Sequence, residues 1–213
     1  MESLQSLEPL PETLRGQIRI LDDDEHVLRF LAQVVKLLGL EPQAFQDPEA
    51  FLATSKPPAC VVVDWQLRDA DGLEVVTRCQ ERWPETPVIL ISGKATVSVA
   101  VTAMRQGVVG VLEKPVHPAA LRREIEMAIN LGRERAEASR QQKEAQERIA
   151  TLSGLELTVL RLLVEGTPNK NIASQMNLAM RTVEKYRRAL FDKLGVDSAA
   201  EAARVWTLAN LKD

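Results

Sequence analysis

The sequence predicts an α/β domain built on a doubly wound five-stranded parallel sheet, followed by a long helical linker and an all-α, four-helix helix-turn-helix domain. Three observations predict it. Short apolar runs such as Cys60-Val61-Val62-Val63 and Val88-Ile89-Leu90-Ile91 alternate with segments whose apolar residues recur at helical spacing. Asp, Gly or Pro punctuates each change, which makes the connections right-handed crossovers and the sheet mostly parallel. From Pro118 onward the pattern is helical throughout.

Residues 1–16, with Pro9, Pro11 and scattered Leu, show no period and are expected to form a loose leader. Gln17 to Leu21 alternates as a first strand and runs into Asp22-Asp23-Asp24-Glu25; Val27, Phe30, Leu31, Val34, Val35 and Leu38 then repeat helically up to Gly39. Glu41 to Phe45 is a second strand, and Asp47-Pro48-Glu49 opens a short helix with Asp as its cap and Pro at the first helical position. The third strand runs from Pro57-Pro58 to Asp64, and a helix spans about Gly72 to Arg82. Pro87 to Ser92 is the fourth strand, Val97 to Gln106 a helix, and Val108 to Leu112 the fifth strand, ending at Glu113-Lys114-Pro115.

The helix that begins at His117-Pro118 has an apolar face of Leu121, Ile125, Ala128 and Ile129, but residues 132–148 are polar nearly all round. Such a stretch is a solvated connector held by charge pairs one turn apart, with weak pairing to a second copy through Ala138, Ala145, Ile149 and Leu152 as the alternative. The expected divisions are a first domain over 17–131, a linker over 132–150 and a second domain over 151–213. In the last of these, Ser153 and Glu156 form a capping box before an apolar face of Leu157, Leu160, Leu163 and Val164. Thr167-Pro168-Asn169 turns the chain into a short helix, and Arg181 to Leu194 follows as a third helix ending at Gly195, with Ala199 to Leu211 as a fourth. Two short helices, a tight turn and a helix bearing Arg181, Lys185, Arg187 and Arg188 have the layout of a helix-turn-helix.

Composition narrows the function. With 45% hydrophobic and 27% charged residues the chain is neither disordered nor membranous. No apolar run approaches the ~20 residues of a transmembrane helix, and Met1-Glu2-Ser3-Leu4 lacks a secretory pattern, so the expected compartment is the cytoplasm. Cys60 and Cys79 offer neither disulfide framework nor metal spacing. Residues 1–120 carry 11 Lys and Arg against 17 Asp and Glu, whereas residues 151–213 carry 9 against 7. An acidic front and a mildly basic back allow nucleic-acid binding by the back alone.

Parallel strands all end on one side, so Asp22, Asp23, Asp64, Ser92 and Lys114 converge on one sheet edge although distant in sequence. Taken singly, Asp64 is as readily the cap of the next turn. Clustered carboxylates persist when a divalent cation sits among them, and oxygen-only ligands argue for Mg²⁺, which retains waters and a phosphate oxygen. Lys114 and the Ser92 hydroxyl suit phosphoryl oxygens, and Asp64 suits a nucleophile that forms an acyl phosphate. His26 and His117 are read as capping or exposed, and Trp65 as edging the pocket.

These residues carry a resemblance. Ile20-Leu21-Asp22-Asp23-Asp24-Glu25, Asp64 with Gly72, Ser92-Gly93 and Glu113-Lys114-Pro115 resemble the flavodoxin-like receiver domain of two-component response regulators. Leu152 to Leu160, Asn169-Lys170-Asn171-Ile172-Ala173, Arg181-Thr182-Val183-Glu184 and Lys193-Leu194-Gly195 resemble the LuxR-type output domain, so the chain looks like a NarL/FixJ-type regulator. The resemblance implies that Asp64 accepts phosphate from a sensor histidine kinase, with Mg²⁺ held by Asp22, Asp23, Asp64 and the Gln66 backbone carbonyl. It implies that Ser92 and Lys114 read the phosphoryl group, that Ser92 shifts to expose a dimerisation surface, and that the third output helix enters the major groove of promoter DNA. Lys170, Arg181, Thr182, Lys185, Arg187 and Arg188 are the expected DNA contacts, with homodimer formation on activation and RNA polymerase as a further partner. The chain departs from the family pattern at Val111, usually aromatic and coupled to the switch, and at Arg68, often Pro. It departs again at Ala179, often a Ser cap, and at Tyr186, often His. Lys94 and Gln66 stand where the family tunes phosphoryl lifetime.

Two rival readings use the same residues. A haloacid-dehalogenase-like phosphatase would need a general acid two after the nucleophile, where Gln66 stands. Alternatively the tail is a protein-interaction module, for which Ala179 and Tyr186 give slight support. Neither displaces the expectation of a regulator that is not an enzyme.

Overall fold

The computed structural model describes residues 7–68, 70–93 and 96–211; the expectation placed on Lys94 lies outside them. The chain divides into two compact units, residues 1–136 and 137–213, within a single helix.

In the first unit β1 (Gln17–Leu21), β2 (Glu41–Phe45), β3 (Cys60–Asp64), β4 (Val88–Ser92) and β5 (Gly110–Glu113) form one parallel sheet in the order β2-β1-β3-β4-β5. Of the three interior strands, β3 and β4 are buried at every position, so they read as continuous apolar runs, as two-sided burial requires. On one face Ile18, Ile20, Val62, Ile89 and Ile91 pack against α1 (Glu25–Leu37) and the start of α5 (Pro118–Ala150). On the other, Leu21, Val61, Val63 and Leu90 meet Phe51 of α2 (Pro48–Leu52), Val75, Val76 and Cys79 of α3 (Gly72–Arg82) and Ala103 of α4 (Val97–Arg105). Strand order reverses between β1 and β3, which opens a crevice at their carboxyl ends.

Four expectations are corrected. The leader is not loose over its described part: Leu10 and Leu14 are buried in the core, Glu12–Leu14 forms a 3-10 turn, and Leu10 N–H donates to the Leu38 carbonyl. The Glu8 carbonyl accepts from Arg122 Nε, 114 positions later. The period fails there because Pro11 breaks a helical reading while the two Leu still point inward. The fifth strand begins at Gly110 rather than Val108, because Val108 N–H is spent closing the turn after α4 on the Ala103 carbonyl. Arg19 does not alternate outward; it is 2% exposed, with Nε donating to Gln43 and the guanidinium 4.8 Å from the Trp83 ring centroid.

The fourth correction concerns the linker's alternative reading: charge pairs one turn apart do stand on it, Arg140 with Glu137 and with Glu144, but its small apolar residues pack differently than expected. The helix is unbroken from Pro118 to Ala150, and Gly132 sits within it because a Cβ there would lie 2.8 Å from Cδ of Pro87. In the second unit Ala145 is buried and Ile149 and Leu152 pack beside it on the output core, so these residues are covered by their own chain and do not form a self-pairing seam. Gln142, Gln146 and Arg148 donate to the carbonyls of Leu211, Ala209 and Leu194. The remainder of that unit is α6 (Gly154–Val164), α7 (Asn169–Gln175), α8 (Met180–Leu194) and α9 (Ala199–Ala209), around Val159, Leu160, Ile172, Val183, Leu190 and Ala202.

Candidate functional site

The carboxyl edge of the sheet brings together what the sequence scattered. Asp22 follows β1, where its Oδ1 accepts from Asp24 N–H, and Asp24 in turn caps α1 by accepting from His26 N–H. Asp64 ends β3, and Lys114 follows β5, its backbone N–H donating to the Ser92 carbonyl at the end of β4. Oxygens of Asp22, Asp23 and Asp64 lie within 4.8 Å of one another. Lys114 Nζ is 2.7 Å from Asp22 Oδ2 and 3.0 Å from Asp64 Oδ2.

Electrostatics follow from burial. Desolvation pushes the Asp64 carboxyl above the ordinary carboxylate range; the Lys114 bond opposes this, the Asp22 charge adds to it, and a bond from Gln66 N–H opposes it. Burial works against the Lys114 ammonium, but bonds to Asp22 and Asp64 outweigh it and raise its pKa. The uncompensated negative charge and all-oxygen donor set suit a divalent oxygen-seeking cation.

The loop after β3 is shaped by Gly72. A Cβ there would lie 2.4 Å from the Asp64 carbonyl oxygen and 2.8 Å from that of Trp65, so only glycine lets the start of α3 close on the site. Gly72 N–H donates to the Trp65 carbonyl, and Gln66 bridges Asp71, the cap of α3. Beside Lys114 lies an apolar groove of about 540 Å³ lined by His26, Val27, Phe30, Pro115 and Val116. His26 is exposed, its ring 2.8 Å from Arg29, and His117 sits exposed just before α5. Val111 is half-buried against the cluster of Leu90 and Ala103.

In the second unit, α7 and α8 make the predicted helix-turn-helix, joined through Asn177 at φ 51°. Arg181, Lys185 and Arg188 stand exposed on α8 at helical spacing, with Thr182 half-buried and Lys170 exposed on α7. Arg187 differs: Nη1 donates to Asn169 Oδ1 at 2.6 Å, and its guanidinium lies 5.5 Å from the Phe191 ring centroid, so it ties α8 to α7. Ala179 provides no side-chain cap, and Tyr186 packs on the core. Arg68 has no role in its local sequence pattern, yet its Nε lies 2.9 Å from Asp23 Oδ2. No local pattern announces that pair, since it joins two loops.

Two family models match the chain: the response regulator receiver domain over residues 18–126, and the luxR family of bacterial regulatory proteins over residues 150–206. The chain belongs to the DNA-binding transcriptional response regulators that join these two domains. It is 32% identical over 204 residues to the transcriptional regulatory protein FixJ of Azorhizobium caulinodans, covering 95% of this chain and 96% of that protein. It is 30% identical to the response regulator protein TodT of Pseudomonas putida, covering 88% and 84%. Among solved structures it resembles the response regulator StyR, with a TM-score of 0.77 at 28% identity over 89% of this chain and 97% of that one. It also resembles full-length FixJ from B. japonicum, with a TM-score of 0.53 at 30% identity over 93% and 98%.

Proposed function

We propose that Asp64 is the phosphoacceptor of this response regulator, receiving a phosphoryl group from a sensor histidine kinase. The single observation that supports this best is the juxtaposition of Asp64, Asp22 and Lys114 at the sheet edge. An Asp64 carboxylate oxygen attacks the donor's phosphorus, the phosphorus–nitrogen bond of the phosphohistidine breaks, and its electron pair returns to the imidazole. Asp22, Asp23, Asp64 and the Gln66 carbonyl are the residues that would hold Mg²⁺, which when bound neutralises charge on the transferring group. Lys114 supplies a fixed positive charge toward phosphoryl oxygens, and the Ser92 hydroxyl donates to one of them. Gln66 cannot serve as a general acid, which disfavours the phosphatase reading.

For the output, Lys185 and Arg181 are assigned to bases or phosphates, and Lys170, Thr182 and Arg188 to phosphates; the exposure of Arg181, Lys185 and Arg188 along one face of α8 and of Lys170 on α7 supports four of the five, and Thr182 is half-buried. Ser92 and Val111 are assigned to the switch, and dimerisation on phosphorylation is supported by exposed Val97, Val101 and Met104 on α4. RNA polymerase is the partner at the promoter and the cytoplasm the compartment; no helix among the described residues is long and apolar enough to cross a membrane.

The test is labelling with a small phosphodonor and Mg²⁺, followed by selection of bound genomic DNA with and without the donor. Wild type is expected to label and to retard selected fragments more strongly when phosphorylated, and Asp64→Asn to do neither. Undiminished labelling of Asp64→Asn would sink the site, and a protein that retards no fragment in either state would favour an interaction module.

A further inference from the structure

The acidic pocket is bordered by a cation with no part in the chemistry above. Arg68 stands four residues after Asp64 in the loop between β3 and α3, where its Nε meets Asp23 at 2.9 Å. Lys114 bonds the two deep carboxylates, Asp22 and Asp64, whose side chains are 1% and 6% exposed; Arg68 bonds the shallow one, Asp23, at 25%. Asp23 is therefore the carboxylate through which an ion entering from solvent is first met, and a guanidinium already sits on it.

We propose that Arg68 competes with the divalent cation for Asp23 and so sets the free Mg²⁺ concentration at which the pocket loads. Mg²⁺ requires near-ideal octahedral ligands at about 2.0–2.1 Å and is unforgiving of a misdirected donor. An Asp23 oxygen shared between both cations would bring them within about 5 Å, where like charges repel. Arg68 must release Asp23 for the ion to take its full share of the carboxylate. The side chain of Arg68 is 77% exposed, so the pair is solvent-screened and the competition is modest, about two- to fivefold in metal affinity. The pocket of this chain then loads at higher Mg²⁺ than the same pocket without the arginine.

The inference rests on the metal site proposed above, and the experiment separates the two. Mn²⁺ binding to the full chain is followed by loss of the free-ion paramagnetic resonance signal, with Mg²⁺ added to compete, which reads binding without any phosphorylation. Arg68→Ala is expected to bind two- to fivefold more tightly than wild type, and Arg68→Ala combined with Asp23→Asn to bind like Asp23→Asn alone. Unchanged or weaker binding by Arg68→Ala overturns the proposal. So does an equal gain in the Asp23→Asn background, since Arg68 would then act by general charge. If Asp22→Asn and Asp64→Asn leave Mn²⁺ binding at the wild-type level, the site itself fails and the competition with it. If they abolish binding while Arg68→Ala matches wild type, only the competition fails.

Discussion

The Lys114 ammonium lies 2.7 Å from the Asp22 carboxylate, a residue 92 positions earlier, and 3.0 Å from Asp64. One cation thus holds two buried anions together, and the site's stability and its chemistry share a side chain. Lys114→Met keeps the stem and removes the charge. Breaking a fully buried pair costs about 3–5 kcal/mol; with Lys114 24% exposed, a loss of about 1–3 kcal/mol is expected. Thermal unfolding should show it, and millimolar Mg²⁺ should raise the midpoint of the variant more than that of wild type.

Gly72→Ala tests the close approach at the loop. Its Cβ would fall 2.4 Å from a backbone oxygen, which cannot swing aside as a side chain can. The start of α3 must move, and the expected cost is about 1–3 kcal/mol in urea unfolding, with phosphodonor labelling slowed at least several-fold. Normal labelling at unchanged stability would show that the loop has slack the distances deny.

In the second unit the Glu156 carboxylate accepts from Lys193 Nζ at 2.6 Å and from Ser153 N–H at 2.7 Å. The Lys193 bond first, then the Ser153 backbone bond, hold its pKa below the usual carboxylate range. A depressed folded pKa gives stability that is present above the unfolded value of about 4.3 and is lost as pH falls through the folded value. Glu156→Gln should therefore cost about 1 kcal/mol near pH 7, and the difference from wild type should shrink to nothing under strongly acid conditions. A difference independent of pH would show that packing, not charge, is what Glu156 provides.

Lys185 and Arg187 lie two positions apart on α8 and should separate cleanly. Lys185→Ala is expected to weaken DNA retardation about tenfold, lower the salt slope by about one phosphate, and leave the melting temperature alone. Arg187→Ala removes the tie to Asn169 and the stack on Phe191, so it should lower stability by about 1 kcal/mol. Affinity loss without any stability loss in Arg187→Ala would return that residue to the DNA-contacting set.

Much of the fold was legible because its signals are local. The runs of β3 and β4 are apolar throughout since both faces are covered, and Asp47-Pro48 or Ser153 with Glu156 announce helix starts within four residues. Convergence of Asp22, Asp64 and Lys114 was also legible, because parallel strands must end on one side. What escaped depends on pairs far apart in sequence: Arg19 beneath Trp83, Arg68 on Asp23, Ala145 against the output core. A polar segment and a segment packed through one small residue look alike until the partner is known.

The strap formed by Glu8, Leu10 and Leu14 is held by partners that the rest of the first unit must first put in place. Leu10 N–H donates to the Leu38 carbonyl at the end of α1, and the Glu8 carbonyl accepts from Arg122 of α5, 114 positions later. Closures that span so much chain form after local ones, because the loop entropy between the partners is lost before the contact offsets it. The amides of the strap are therefore expected to gain protection from hydrogen exchange together with the completed sheet and to lose it first when α5 lifts away.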